Sequence, residues 1–256
     1  MGLETGIPME LAQPQAIRTI FFDAGYTLLY PSPSIPEVCQ RVCREVGLHI
    51  HLEQVKIRMD SVENFYFRQA RADRNTWANE EAIADFWINY YMSLLYPFVE
   101  EQDETSVYRL AHAIYDEFSK HTSWNVYPDV LPTLEVLHTH GYSLGIISDW
   151  GTALAPIIRQ LQLTKYFNCL LISAVTRHAK PSPTLYEIAL QRANAVSDFT
   201  IHIGDSYIHD VLGARAMGIT PILLDRHKKH SRTDVDCLLV HSLYDLLDLL
   251  EIKHDV

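Results

Sequence analysis

Short apolar runs alternate with longer amphipathic stretches along most of the chain, and their order predicts the fold. The first run, Ile17 to Phe22 in "IRTIFF", is β-branched and aromatic, as a buried strand requires, and it breaks at "DAGYT". In the second half the alternation is regular. Strands are expected at 143–147, 169–173, 200–203 and 221–224, helices at 151–161, 182–194 and 208–217, and a last helix from Ser242. A helix of about three turns, ending at Gly141, leads into the first of these strands. Strand–helix alternation of this kind builds right-handed crossover units and a parallel sheet.

The block between has a different rhythm. "PSPSIPEV" is a Pro/Ser-rich connector that launches a helix: Ser34 and Glu37 have capping-box spacing, Pro36 fits the first turn, and Gly47 closes it. From there to about Lys120 the pattern is helical, with no convincing strand. Asn79 before Glu80 and Glu81 has the place of an N-cap. Phe86, Trp87, Tyr90, Tyr91 and Leu94 form a wide apolar stripe before Pro97, and Leu110, Ile114 and Phe118 share one face of a helix over 104–119. The expected architecture is an α/β, doubly wound parallel-sheet core (17–31 and 122–256) carrying an inserted all-helical cap (32–121). Residues 1–16 read as a loose leader.

Composition narrows the partners. The chain has 32 acidic against 21 basic side chains, a net charge of −11, which argues against nucleic acid or an anionic membrane surface. The short basic cluster from His227 to Arg232 reads as a solvated loop. Cys39 and Cys43 lie one helical turn apart, and Cys169 and Cys237 sit in apolar strand-like runs. None has zinc-site spacing or suggests a disulfide framework, so reduced core cysteines in a cytoplasmic protein are expected. The N-terminus lacks the basic start and apolar stretch of a signal peptide, and no segment is long and apolar enough to span a membrane.

Ligands of doubly wound sheets bind at the carboxyl ends of the strands, and those ends carry the candidate chemistry. Asp23 follows the first strand, Ser148 and Asp149 end "IISD", Lys180 lies in "RHAKPSP", and Asp205 and Asp210 lie in "HIGDSYIHD". One strand-end Asp is commonly only a turn or cap residue; this many on one edge make a site. Carboxylates so gathered repel unless a cation sits among them. A few hard oxygen ligands completed by water suit Mg²⁺, and a lysine and hydroxyl beside them suit a phosphoryl group.

The segments "FFDAGYTLL", "IISD", "AKPSPTLYEIAL" and "HIGDSYIHDVLGARAMG" resemble, in order and at strand ends, the four motifs of the haloacid dehalogenase (HAD) superfamily. The resemblance covers the chain after its leader, cap included. "FSKHTSWNVYPDV" and "GDSYIHD" look most like the group around haloacid dehalogenase-like hydrolase domain-containing protein 3. It implies a Mg²⁺-dependent hydrolase, a phosphatase of small phosphorylated metabolites, with Asp23 as a nucleophile that forms an aspartyl-phosphate. It implies Mg²⁺ held by Asp23, the Gly25 carbonyl and Asp205, with Asp210 in the outer shell. Thr27, Ser148, Asp149 and Lys180 would bind the phosphate, Lys180 also neutralising the transferring group.

The chain departs from the family pattern at Gly25, where family phosphatases carry an aspartate that protonates the leaving oxygen. Loss of a general acid costs about 10²–10⁴ in rate, or about 3–5 kcal/mol of barrier. Replacement donors are Tyr26, His209, Asp149 or a cap residue, with Arg68 or Arg71 assisting substrate binding; a good leaving group needs none. His209 at a helix start and arginines on a polar helix face also fit plain solvation. The competing readings are a weak or inactive HAD-fold protein kept for ligand or partner binding, a phosphonatase using a cap lysine such as Lys56, and a dehalogenase. The metal-binding form of "GDSYIHD" disfavours the last. Trp77, Phe86, Trp87, Tyr90 and Tyr91 either line a specificity pocket or form cap core, and helical spacing favours core. His112, His121, His138, His140 and His178 have no metal-ligand spacing. The substrate's identity and the oligomeric state are left open by the sequence.

Overall fold

The computed structural model describes residues 10–72, 76–99 and 103–253. Its centre is a six-stranded, all-parallel sheet of β1 (Thr19–Phe22), β4 (Ser143–Ser148), β5 (Cys169–Ile172), β6 (Thr200–Gly204), β7 (Thr220–Leu224) and β8 (Leu238–Val240). The spatial order is β5-β4-β1-β6-β7-β8. From β1 the chain builds outward through β4 and β5, then returns to the other side of β1 for β6, β7 and β8. The order therefore reverses between β1 and β6, the place where such sheets open a crevice at their carboxyl ends. Phe22 pairs with Ile146 on one side and Ile203 on the other, so Asp23 emerges directly at that reversal.

All four residues of β1 are buried, which is why the strand reads as a continuous apolar run. Successive side chains point to opposite faces. Phe22 joins Ile146, Ile203 and residues of α5 (Val130–Thr139), α6 (Leu154–Gln160) and α10 (Leu243–Leu249). Phe21 joins Ile147, Leu171 and residues of α8 (Pro183–Ala193) and α9 (Leu212–Arg215) on the other face. Leu11 and Pro14 are also buried, so the end of the leader packs down. Residues 1–9 and 254–256 lie outside the described residues.

Four helices fill the block after β2 (Leu29–Pro31): α1 (Ile35–Glu45), α2 (Leu52–Ala72), α3 (Glu80–Leu95) and α4 (Glu104–Phe118). Glu37 Oε2 accepts the Ser34 amide at 2.8 Å, and Asn79 Oδ1 accepts the Ala82 amide at 2.8 Å, as the capping patterns require. Val38, Val55, Tyr90, Tyr91, Leu94 and Ile114 build a separate apolar cluster within this block. Contacts among the described residues join it to the sheet domain beside the strand ends. Trp77 and Phe86 pack with Ala179, and Glu80 Oε2 accepts the Thr152 amide at 2.7 Å.

Three features differ from the sequence expectation. β2 pairs antiparallel with β3 (Trp124–Val126), tying together the start and end of the helical block. β8 adds a sixth strand to the sheet. The helix expected over 208–217 is a π-helical turn, Tyr207–Val211, followed by the short α9. Among the described residues, no helix is long and apolar enough to cross a membrane.

Candidate active site

Three carboxylates meet where β1 and β6 end. Asp23, Asp205 and Asp210 each offer an oxygen within 4.8 Å of the others. Asp23 follows β1 with its amide on Ile203 O at 2.9 Å, and Asp205 directly follows β6. Asp210 arrives on the π-helical turn, a local widening that recurs at functional sites. Its amide and that of Val211 both donate to Ser206 O, at 2.8 and 3.2 Å. The Asp210 carboxylate then tucks against the end of β6, where a Cβ on Gly204 would lie 2.2 Å from its carbon. Only glycine permits that approach.

Lys180 is the counter-charge. Its buried Nζ donates to Asp23 Oδ1 at 2.6 Å and to Asp210 Oδ1 at 2.7 Å, reaching both from the loop between α7 (Ser173–Thr176) and α8. Ser148 Oγ donates to the same Asp23 oxygen at 3.2 Å. Asp149 Oδ1 accepts the Lys180 amide at 2.9 Å, and its Oδ2 lies 3.2 Å from His209 Nδ1. Asp149 therefore tethers the lysine loop with its side chain.

One ammonium among three acids leaves the cluster electrostatically short of cations. Burial raises the pKa of Asp23; Lys180 pulls it down by more than Asp210 pushes it up, but not by enough to cancel the burial. Asp205 is reached by solvent yet closely surrounded by protein, and burial followed by repulsion from Asp23 and Asp210 pushes it well up. Asp210 goes the other way. Burial opposes its charge, but Lys180 and His202 outweigh that and hold it below the usual range. Burial likewise works against Lys180, and the carboxylates around it keep it charged. The donor set is thus hard oxygen with unbalanced negative charge, which fits a divalent cation. Asp210 has both oxygens engaged, by Lys180 and His202 on one and by Ser206 N at 3.0 Å on the other, which suits a place outside a metal's first shell.

The remaining expected residues lie nearby with different surroundings. Thr27 is fully buried, and its Oγ1 has no hydrogen-bond partner among the described residues. Gly25 sits in a tight turn in which the Leu28 and Leu29 amides donate to Ala24 O, each at 2.9 Å. A Cβ on Gly25 would meet Trp150 Cζ3 at 3.3 Å, so an indole packs over the place where a side chain would begin. Tyr26 adopts φ +55° and is partly exposed, while its hydroxyl is enclosed near Glu63 and Asp205; burial and those acids raise its pKa. Arg68 is exposed on α2, and the side chain of Arg71 lies outside the described residues. The aromatic stripe divides: Tyr90 and Tyr91 are interior to the helical block, whereas Trp77 and Phe86 press on the loop that carries Lys180.

Four residues escaped the sequence reading. His202, in the middle of β6, places Nε2 2.9 Å from Asp210 Oδ1; a lone histidine in an apolar strand was its signal. Trp150 is braced by Trp124 at 4.6 Å between ring centroids. Arg226 and Asp129 form a largely buried pair at 2.9 Å beneath the turn that follows Asp23. Arg226 stands just past the end of β7, so the strand-end rule already covered it.

Comparison with known proteins agrees with this geometry. Residues 20–224 match the family model described as haloacid dehalogenase-like hydrolase. Haloacid dehalogenase-like hydrolase domain-containing protein 3 of Danio rerio is 26% identical over 233 residues, covering 91% of this chain and 95% of that protein. A glyceraldehyde 3-phosphate phosphatase of Methanopyrus kandleri is 25% identical over 217 residues, covering 83% and 85%. The magnesium-bound putative HAD-hydrolase YfnB of Bacillus subtilis superposes with a TM-score of 0.74 over 92% of this chain and 99% of its own, at 16% identity, a likeness of fold.

Proposed function

Because the chain belongs to the haloacid dehalogenase-like hydrolase family, we propose that its strand-end cluster is a Mg²⁺-dependent phosphohydrolase site for a small phosphorylated metabolite. The observation that carries the reading is Lys180 Nζ placed 2.6 and 2.7 Å from Asp23 and Asp210, with Asp205 in the same cluster. A disused site has no physical reason to keep so costly a set of buried charges.

Asp23 is the nucleophile. Its carboxylate attacks phosphorus, the bond to the leaving oxygen breaks with its electron pair on that oxygen, and water then hydrolyses the aspartyl-phosphate. Asp23, Asp205 and the Gly25 carbonyl would hold Mg²⁺, which would supply charge neutralisation for the phosphoryl oxygens. Lys180 holds Asp23 in place and offsets negative charge on the transferring group. Ser148 orients the nucleophile through Asp23 Oδ1, and Thr27 brings an unspent hydroxyl. Residues 32–121 act as a cap whose Trp77 and Phe86 meet the lysine loop when it closes.

Gly25 gives the leaving oxygen no proton, and what packs over it is the apolar Trp150 ring. That favours substrates whose leaving group departs as an anion, such as acyl or aryl phosphates. It also motivates the second reading, a weakly active or inactive protein with a binding role. Phosphonate cleavage has little support, because Lys56 pairs with Glu53 at 2.8 Å on the exposed start of α2. The test is hydrolysis of acetyl phosphate and an aryl phosphate with Mg²⁺. Turnover abolished by Asp23→Asn and by chelation is expected; none in the unmodified protein with Mg²⁺ bound would select the binding role.

A further inference from the structure

A guanidinium under the site holds the nucleophile's turn in shape. Arg226 Nη2 and Nε donate to the carbonyl oxygen of Thr27 at 2.8 and 3.3 Å. Its Nη1 and Nη2 donate to the two oxygens of Asp129 at 2.9 and 3.0 Å. The plane lies over the Tyr127 ring, with Cζ 3.9 Å from the centroid. Asp129 is itself fixed, since its Oδ2 also accepts the Leu243 amide at 2.8 Å. A planar fork is needed to serve a carboxylate, a carbonyl and an aromatic face at once; a lysine ammonium has no such geometry.

What this fixes is the segment just after Asp23. Main-chain bonds settle most of that turn: Leu28 O accepts the Tyr127 amide at 3.1 Å and Leu29 O accepts the Tyr26 amide at 2.7 Å. Thr27 O has no main-chain donor among the described residues, and Arg226 takes that place from a different strand end. Two groups of the same turn remain uncommitted among the described residues, the Gly25 carbonyl and the buried Thr27 Oγ1. Groups kept open in this way bind well only if the backbone under them is held from outside.

The geometry points to Arg226 as a positioning residue for cation and phosphate binding at the Gly25–Thr27 turn, acting through the Thr27 carbonyl and anchored by Asp129. This rests on the phosphohydrolase reading above. It also gives a role to a cation next to a basic loop that otherwise reads as solvated surface.

The experiment uses the full chain with Arg226→Lys, Thr27→Val and the double variant. Mg²⁺ alone, and inorganic phosphate in the presence of Mg²⁺, are titrated calorimetrically, and urea unfolding reports stability. Arg226→Lys is expected to stay folded and to bind phosphate at least tenfold more weakly, with Mg²⁺ affinity also lower. In the Thr27→Val background its effect on phosphate should fall below threefold, because the two residues act as one unit. A lower urea midpoint with unchanged phosphate and Mg²⁺ affinity would make Arg226 an interior strut and overturn the inference, as would full additivity with Thr27→Val. If the unmodified protein binds neither probe, the phosphohydrolase reading falls and this inference with it. Binding that the variants leave intact sinks this inference alone. Should Arg226→Lys fail to fold, Asp129→Asn, which removes the anchor, is judged by the same two affinities and the same outcomes.

Discussion

Restoring a carboxyl at residue 25 is the sharpest test of how the site works. Gly25 has a backbone an L-residue can adopt, and its missing Cβ would sit 3.3 Å from Trp150 Cζ3 and 4.0 Å from Cε3. Carbon contacts are optimal at about 3.5–4.0 Å, so the ring must yield a few tenths of an ångström. Trp124 and the Trp150 amide's bond to Ser173 Oγ at 3.1 Å resist that movement. Mild overpacking of this kind costs about 1–3 kcal/mol of stability. Against it stands a general acid worth about 10²–10⁴ in rate, or about 3–5 kcal/mol of barrier, for a leaving group that needs a proton. Gly25→Asp should therefore raise kcat/KM for an alkyl phosphate about 100-fold or more, while acetyl phosphate, whose carboxylate leaves unaided, gains far less. The assay is phosphate release from both substrates, with Gly25→Asp compared to Gly25→Asp/Trp150→Phe to separate crowding from chemistry. Folded variants that leave the ratio of the two substrates unchanged would refute the reasoning. The leaving group would then already receive its proton from another residue.

Lys180→Met should lower stability by about 3–5 kcal/mol, because it strands buried Asp23 and Asp210 without their cation. Urea midpoints measured without Mg²⁺ check this. Asp205→Asn should do the opposite in the metal-free protein, raising the melting temperature by removing a like charge beside Asp23, while abolishing the rise that Mg²⁺ produces; an unchanged Mg²⁺ effect would remove Asp205 from the ligand set. Asp245 caps α10 by accepting the His241 and Ser242 amides at 2.7 and 3.1 Å. Burial opposes its charge, but those bonds dominate and lower its pKa. Its contribution is then complete above the unfolded value of about 3.9 and lost as pH falls through the folded one. Stability should fall less between pH 5 and pH 2 in Asp245→Asn than in the unmodified chain.

The site's charged frame was legible because the sheet imposes it. Apolar runs end where strands end: Asp23 and Asp205 directly follow β1 and β6, Ser148 is the last residue of β4, and the lysine loop comes one short helix after β5. The helical block was legible from period and caps. What escaped depends on pairing across long separations. β2 and β3 are three residues each, too short to show a period, and become strands by meeting each other across the helical block. β8 is equally short and is defined by pairing with β7. The π-helical turn has no local signature. Ser206 O accepting two successive amides and Tyr186 donating to His209 O at 2.9 Å hold it, and Tyr186 comes from another helix. Arg226 was missed for a different reason: the residues after it are basic and exposed, and the aromatic face and carboxylate that distinguish it come from just before α5.

The central position of β1 bears on how the protein is made. Asp23, at its end, leaves the ribosome well before its partners, since Ser148 and Lys180 lie 125 and 157 residues further along. The strand it pairs with on its other side, β6, comes later still. A nascent chain that has reached only α4 exposes β1 with no partner for its ladder and Asp23 with no counter-charge. Closing contacts over such separations is slow, and an unpaired apolar strand is prone to wrong partners until closure. The helical block, whose contacts are local, can form meanwhile and shorten the effective span. The helical block can therefore fold ahead of the sheet, and Asp205 and Asp210 join Asp23 only after β4 and β5 have been made.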